Sequence, residues 1–142
     1  SYIGLDDPLA DGGVMISDLV DRGYLVRTRA DADNVEVETG SDDRLRAALR
    51  VGDDLARIGG DEFTVLMRNV PDEDAARHLA ERMLAATTEP FVVDGRELRI
   101  GLSIGIALVT PDLSADTLLA LADAALYQAK RDGGGRAHVA HR

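Results

Sequence analysis

The segment that most restricts the possible folds of this chain is Ser103–Leu108, in which nearly every residue is apolar or small. A strand with one solvated face alternates apolar and polar residues, and this run does not alternate. Ser103–Leu108 is therefore expected to be a strand that is buried on both faces. Such a strand needs packed elements above and below it, which predicts a layered α/β or α+β domain.

Helix and strand patterns alternate along the rest of the chain. Two long helices are predicted, from Glu73 to Thr87 and from Ser114 to Arg131, because each carries an apolar stripe at helical spacing. Strands are predicted over residues 24–28, 54–58, 62–67, 91–93, 97–109 and 137–140, with a short helix over 44–49. Glycine-rich and Asp-Gly turns between neighbouring strands favour hairpins. The sequence thus predicts a single α/β (α+β) domain with a central, mostly antiparallel sheet flanked by helices.

The composition limits the partners of this domain. Its 142 residues carry a formal net charge of −10 and include no cysteine. A mean field of that sign repels nucleic acid polymers and anionic membranes, although a metal or a local cation still allows a nucleotide to bind. The sequence contains no signal peptide and no apolar run approaching ~18 residues. We therefore expect a cytoplasmic protein without membrane contact, and the missing initial Met indicates a fragment or a processed chain.

The sharpest motif is the segment Arg57–Phe63, with the sequence RIGGDEF. Gly59 and Gly60 let the backbone approach a ligand at a point where a Cβ atom would collide. Asp61 and Glu62 supply hard carboxylate oxygens of the kind that bind Mg²⁺, and the metal in turn holds a triphosphate. Taken alone, the same residues also fit a glycine hairpin turn followed by solvated acids.

Together with other segments in the same order, this motif resembles the GGDEF domains, the bacterial enzymes that condense two GTP molecules into cyclic di-GMP. The resemblance covers roughly two thirds of the chain and is carried by residues 57–67, 98–108 and 122–130. It implies that Asp61 ligands the metal and is needed for catalysis, and that Glu62 is a second metal-associated acid. It also implies that Gly59 and Gly60 form the turn against the phosphates, with Mg²⁺ as cofactor and GTP as substrate.

The end of the last long helix matches the family less completely. Lys130 falls on the position of a phosphate-binding lysine. The Gly-Arg-Asn that often follows it in the family is changed here, so the usual arginine position is Gly134. Arg136 is the candidate substitute for that arginine. The alternative is that both cations only complement the dipole of the helix.

Arg50 and Asp53 resemble the RxxD inhibitory site at which the family binds its own product, and they lie at the family's spacing from Gly59. A guanidinium fork suits a guanine edge or a phosphate, and a carboxylate accepts hydrogen bonds from guanine. An Arg and an Asp three residues apart at the end of a helix are also common for structural reasons alone. The pair is a candidate site for cyclic di-GMP, with a local ion pair as the alternative.

The first third of the chain departs from this family. A complete member begins with Asp-x-Leu-Thr-Gly-Leu and a strand ending in Asp-Leu-Asp-x-Phe-Lys, whose Asp ligands the metal, followed by an Asn and an Asp that recognise guanine. None of these stretches is present. Residues 23–33 instead resemble the C-terminal part of bacterial calcium-dependent phosphoinositide phospholipase C-like barrel proteins. We therefore expect a foreign β-α-β start over residues 1–43 and a GGDEF-like domain over 44–142. If the start is instead a diverged cyclase segment, Asp31 is the substitute metal ligand.

Folding places fewer demands on the sequence than catalysis, because ligands must lie within about 0.5 Å of the productive geometry. The prediction is a degenerate or chimeric GGDEF-like domain without efficient diguanylate cyclase activity. Two alternatives stay open, namely a cyclic di-GMP-binding module acting through Arg50 and Asp53, and an engineered fold chimera without a ligand. An apolar edge left by a missing neighbour favours a homodimer or a strand-swapped oligomer.

Overall fold

The computed structural model describes residues 23–31, 41–50, 52–57, 62–93, 95–98, 101–110 and 112–140. In chain order these residues form β1 (Gly23–Asp31), α1 (Ser41–Ala48), β2 (Asp54–Arg57), β3 (Glu62–Met67), α2 (Glu73–Ala86), β4 (Phe91–Val93), β5 (Arg96–Leu98), β6 (Gly101–Val109), α3 (Ala115–Arg131) and β7 (Ala137–Val139). The expected foreign start contributes β1 and the beginning of α1 to this part. Its residues 1–22 and 32–40 lie outside the described residues.

Five strands form the main sheet, in the order β2-β3-β1-β6-β7. The central strand β1 pairs antiparallel with β3 and with β6. Its register with β6 runs from Gly23 opposite Val109 to Asp31 opposite Gly101. Among the described strands of this sheet, β7 alone is parallel to its neighbour, β6. The prediction of one α+β domain with a mostly antiparallel sheet is confirmed.

Two apolar layers cover the sheet, so β6 is buried on both faces as its composition predicted. On one face, α1 and α2 pack against side chains such as Val26, Val65 and Ile104. On the other face, α3 packs against side chains such as Leu25 and Ala107. Each fully buried aliphatic side chain of this kind stabilises the fold by about 1.5–3 kcal/mol. The two layers are therefore the main source of stability in the described part of the chain.

The path of α3 is set by a close approach to the sheet at Gly105. A Cβ atom at this position would lie 2.1 Å from the carbonyl oxygen of Ala122 and 2.3 Å from the backbone nitrogen of Leu126. Because α3 returns antiparallel to β6, residues after Leu126 run towards the Gly101 end of the strand. The C-terminal turn of α3 consequently lies over the end of the sheet at which β1 finishes and β3 begins.

Side-chain caps and glycines define where the helices begin and end. Asp72 accepts a hydrogen bond from the backbone nitrogen of Ala75 at the start of α2, and Ser114 accepts one from that of Thr117 at the start of α3. After α3, Gly133–Gly135 have φ values of 114°, 72° and 63°. These left-handed conformations favour glycine, and they turn the chain back to place β7 beside β6.

The prediction of one strand over residues 97–109 is only partly tested, because residues 99 and 100 lie outside the described ranges. On one side of them Arg96–Leu98 pairs with Phe91–Val93 in a two-stranded sheet, and on the other side β6 covers Gly101–Val109. The hairpin around the Asp-Gly turn is confirmed, and positions 92 and 95–97 in it are exposed. No helix in the described ranges is both long and apolar enough to cross a membrane.

Candidate functional site

The motif over Arg57–Phe63 is only partly described, because residues 58–61 lie outside the described ranges. Predictions for Gly59, Gly60 and Asp61 therefore stay predictions. Glu62 is the first residue of β3, and Phe63 after it is 1% exposed and anchors the strand in the core. The carbonyl oxygen of Phe63 also accepts a hydrogen bond from Oγ1 of Thr28, at 3.4 Å.

Glu62 faces an arginine on the central strand. Arg29 is the cross-strand partner of Glu62, and its Nε lies 4.0 Å from Oε1 of the carboxylate. The two side chains are 47% and 35% exposed, so water reaches both. Whatever Glu62 binds must share the carboxylate with this guanidinium.

A second arginine of β1 connects the sheet to α3. Nε of Arg27 lies 2.9 Å from Oδ1 of Asp123, and its Nη1 donates to Oγ1 of Thr64 at 3.3 Å. The Arg27 side chain is only 15% exposed. The sequence analysis did not single out Arg27, and the signal that was available is an arginine directly after the apolar run Tyr24–Val26 of a strand.

Lys130 lies in the last turn of α3. The crossing of α3 over Gly105 directs this turn towards the end of the sheet that carries Glu62 and the last residue of β1, Asp31. The fold therefore brings Lys130, Glu62 and the backbone of Asp31 to one end of one sheet. Four of the residues predicted to bind nucleotide, phosphate or metal are described here. Three of them, Lys130, Glu62 and Asp31, lie at this end of the sheet.

Arg136, the fourth of these residues, directly precedes β7, which lies on the side of β6 away from β1 and β3. Its carbonyl oxygen accepts from the backbone nitrogen of Ile104, and its own Nε donates to the carbonyl oxygen of Gly134. The sheet order places it three strand spacings from β3, or about 14 Å between backbones. An arginine at this position is not adjacent to Glu62, and its guanidinium folds back on its own loop.

The described residues do not by themselves make a metal site. They contain no group of three or more His, Cys, Asp or Glu side chains that could hold an ion. Glu62 is the one carboxylate of the motif that is described, and Arg29 opposes it. Asp61 and the side chain of Asp31, the other predicted metal ligands, are not described, so the predicted metal site stays a prediction.

Arg50 and Asp53 form a compact clasp. Asp53 accepts from the backbone nitrogen, Nε and Nη2 of Arg50 at 3.0, 3.2 and 2.9 Å, and from the backbone nitrogen of Arg68 at 3.3 Å. Nη2 of Arg50 also donates to the carbonyl oxygen of Arg68 at 2.6 Å. The Asp53 side chain is 1% exposed and that of Arg50 is 34% exposed. The structure brings the two predicted residues together, and it uses them to close the turn between α1 and β2.

The sequence analysis missed a supporting pair beside this clasp. Arg68 directs its Nε to Oδ2 of Asp54 at 2.8 Å, while its backbone contacts Asp53. Asp54 pairs with Leu66 at the end of the β2–β3 hairpin, whereas Arg57 pairs with Phe63 beside the glycine turn. The clasp and the RIGGDEF turn therefore lie at opposite ends of one hairpin, about 10–13 Å apart along the strands.

Comparisons with known proteins agree on one family. The family model for "Diguanylate cyclase, GGDEF domain" matches residues 39–136. The "Bifunctional diguanylate cyclase/cyclic di-GMP phosphodiesterase MucR" of Pseudomonas aeruginosa is 42% identical over 92 residues, which are 64% of this chain and 13% of MucR. "Diguanylate cyclase TpbB" of the same species is 40% identical over 101 residues, or 68% of this chain and 23% of TpbB. The chain thus spans less than a quarter of these two relatives.

Solved structures share the fold. The crystal structure of the TpbB GGDEF domain has a TM-score of 0.77 and 30% identity, and the match covers 85% of this chain and 83% of that one. The GGDEF domain of DgcB from Caulobacter crescentus, solved in complex with c-di-GMP, has a TM-score of 0.71 at 22% identity over 83% of this chain and 77% of that one. The resemblance of residues 23–33 to a phospholipase C-like barrel finds no support in these comparisons.

Proposed function

This chain belongs to the diguanylate cyclase GGDEF domain family, and we propose that it is a guanine nucleotide-binding domain with at most weak cyclase activity. The observation that carries the proposal is Arg29, which stands opposite Glu62 with 4.0 Å between Nε and Oε1. In the family, a carboxylate of the first strand ligands the metal. Here the residue of the central strand that lies opposite Glu62 is a cation.

The physical effect of Arg29 on a metal is unfavourable. Two unit charges 4 Å apart interact by about 1 kcal/mol in water and by about 4 kcal/mol at an effective dielectric constant of 20. The half-exposed Arg29–Glu62 pair lies between these limits, near the value in water. A divalent ion at Glu62 has to displace this guanidinium from the carboxylate or lie beside it, and either one weakens metal binding. Any GTP and Mg²⁺ that bind here therefore do so weakly.

The origin of the first strand does not change this argument. The match to the TpbB domain covers 85% of this chain, a larger share than residues 44–142 can supply. This coverage supports the proposal that residues before position 44 occupy the place of the family's own first strand, whether they arose by divergence or by recombination. We propose that β1 restores the sheet in either case, and that the metal carboxylate is what it fails to restore.

The test is cyclic di-GMP formation from GTP and Mg²⁺, measured by chromatography for the wild type, Arg29→Asp and Arg96→Asp. The TpbB GGDEF domain serves as the active reference. Arg29→Asp replaces the opposing cation with a carboxylate, so we expect turnover to rise at least tenfold. Arg96→Asp is the control, because Arg96 is an exposed arginine on β5 and its replacement makes the same change of charge on a remote strand. We expect no effect of this control on turnover. Wild-type turnover comparable to that of the reference domain would refute the proposal.

A second candidate function, binding of cyclic di-GMP, is favoured by the clasp itself. The guanidinium of Arg50 is held in place by Asp53 and by the carbonyl oxygen of Arg68, with a third of its side chain exposed. Its Nη1 makes no hydrogen bond to any residue in the described ranges, which leaves donors for a phosphate or a guanine edge. A preorganised fork loses less entropy on binding.

Calorimetric titration with cyclic di-GMP tests this second function independently of catalysis. We expect saturable binding that weakens at least tenfold in Arg50→Ala and is unchanged in Arg77→Ala, an arginine on the exposed side of α2. Wild-type protein that unfolds cooperatively but gives no heat with cyclic di-GMP would contradict it.

A homodimer with two facing nucleotide sites is proposed only for the cyclase reaction, whose rate would then depend on the square of the protein concentration.

A further inference from the structure

A cavity of about 320 Å³ opens at the end of the sheet opposite the RIGGDEF turn. It exists because β7 ends before β6 does. β7 pairs with Ile104–Ile106, and the last contact is the backbone nitrogen of Ala140 donating to the carbonyl oxygen of Ile106. Beyond that point no described strand pairs with this side of β6, and Leu108 is 44% exposed. The cavity wraps around this end of β6.

The walls of the cavity are mostly apolar. They are formed by the end of β6, the start of α3 with the loop before it, and the end of β7, through Leu108, Leu113, Leu121 and Val139. Three polar side chains complete the lining, namely Tyr24 from β1, Glu73 from α2 and Thr110 directly after β6. An apolar pocket with a few converging polar groups is the usual form of a small-molecule site.

Tyr24 is the unusual group in this lining. It is 6% exposed, and its hydroxyl has no hydrogen-bond partner among the described residues. Leaving a buried hydroxyl without a partner costs about 1–3 kcal/mol. Tyr24 pairs with Leu108 across the strands, so its side chain lies next to this end of β6. The phenol of Tyr24 thus lines the cavity without a hydrogen-bond partner among the described residues.

The charge beside this phenol is negative. Glu73 lies in the first turn of α2, and its Oε2 is 3.3 Å from Nε of Arg77, while its Oε1 contacts no cation among the described residues. Burial first, and then the charges of Glu73 and Asp72, raise the pKa of the Tyr24 phenol above its usual value. The phenol is therefore neutral at physiological pH and can accept a hydrogen bond as well as donate one. A cation suits this corner better than an anion.

We propose that this cavity binds a small primary amine with an apolar body, whose ammonium group donates to the Glu73 carboxylate and to the Tyr24 hydroxyl oxygen. The apolar body lies against Leu113, Leu121 and Val139. The site is separate from the nucleotide region, since Tyr24 and Arg29 are five residues apart on one strand, or about 17 Å. The proposal does not depend on cyclase activity or on binding of cyclic di-GMP.

The experiment titrates the whole chain with phenethylamine, followed by NMR and by calorimetry, with 3-phenylpropanoate as a probe of the same body and the opposite charge. We expect saturable binding of the amine and none of the carboxylate. Tyr24→Phe and Glu73→Gln should each weaken amine binding at least fivefold. Two control variants should leave amine binding unchanged. Tyr127→Phe changes an exposed tyrosine, and Asp74→Asn changes an exposed acid in the same turn of α2 as Glu73.

Folding of the variants is checked by thermal unfolding. Because the Tyr24 hydroxyl has no partner in the described structure, Tyr24→Phe should leave the melting temperature unchanged or raise it. A fall of several degrees would mean that the protein itself satisfies the hydroxyl, and would overturn the proposal. Absence of saturable amine binding, equal binding of 3-phenylpropanoate, or equal binding by Tyr24→Phe would overturn it as well.

Discussion

Arg27 and Asp123 join the central strand to the helix that crosses it, with 2.9 Å between Nε and Oδ1. The arginine is 15% exposed and the aspartate 49% exposed. The largely buried guanidinium therefore needs the carboxylate as its partner, whereas the carboxylate is also reached by water. The contact sets the position of α3, and with it that of Lys130 two turns later, relative to the strand pair that carries Glu62.

We expect Asp123→Ala to lower the free energy of unfolding by about 1–3 kcal/mol, because it leaves a largely buried guanidinium without its anion. Arg27→Met should cost less, since Asp123 can turn to water and Met retains the packing of the arginine stem. Urea unfolding measures both. Arg77→Met is the control, because Arg77 and Glu73 are each 41% exposed and such pairs contribute about 0–1 kcal/mol. Equal losses in the two test variants would contradict the asymmetry.

Gly105→Ala should be strongly destabilising. Its Cβ would lie 2.1 Å from the carbonyl oxygen of Ala122, and backbone atoms cannot move aside as a flexible side chain would. We expect a loss of about 3 kcal/mol or more, at the upper end for overpacking. Gly95→Ala is the comparison, since Gly95 has a φ of 76° and open space around it, and we expect about 1–2 kcal/mol there. The ranking is measured by urea unfolding, and a smaller effect at Gly105 would refute the close approach of α3.

The clasp predicts that Asp53 matters more for stability than Arg50. Asp53→Ala removes the acceptor of four hydrogen bonds at a side chain that is 1% exposed, and we expect a loss of about 2–3 kcal/mol. Arg50→Ala should cost about 1 kcal/mol, because its guanidinium is partly solvated. Glu97→Ala, an exposed acid on β5, is the neutral control in the same urea experiment. If Arg50→Ala proves the more damaging, the aspartate is not the centre of the clasp.

The stability of the fold should fall with pH above 10 through Tyr24. Burial raises the pKa of the Tyr24 phenol in the folded state above its ordinary value of 10.0, so the unfolded chain releases the proton first as the pH rises. The unfolded state then binds fewer protons, and the free energy of unfolding falls by up to about 1.4 kcal/mol per pH unit from this group. Tyr24→Phe should remove that part of the slope. Urea unfolding between pH 9 and 11, with Tyr127→Phe as control, measures the difference, and parallel slopes in wild type and Tyr24→Phe would disprove it.

Much of the architecture was predictable because it depends on local patterns. The uninterrupted apolar run of β6 predicted packed elements on both faces, and apolar stripes at helical spacing predicted α2 and α3. The exposure of the β4–β5 hairpin next to a buried β6 was not predictable. Strand character is similar in both segments, and pairing with β1 over nine residues is what buries β6.

The candidate site was predictable in its motif and not in its surroundings. RIGGDEF, Arg50, Asp53 and Lys130 were identified because they stand at recognisable spacings. Arg29 was not, because its importance comes from strand register: it lies thirty-three positions before Glu62 in the chain and opposite to it in the sheet. Arg136 shows the converse, since it follows Lys130 closely in sequence while the glycine turn carries it to another edge.

The sequence by itself determined the family, the layered fold and the presence of a strand at the centre of the sheet, because apolar periodicity and motif spacing are properties of neighbouring residues. Only the tertiary structure decided which charges meet. Arg29 with Glu62, Arg27 with Asp123, and Tyr24 with an open cavity are contacts between distant segments. A shift of one residue in strand register exchanges the face on which every side chain of that strand lies. The register of β1 is therefore what places Arg29 opposite Glu62, the described acid of the RIGGDEF motif.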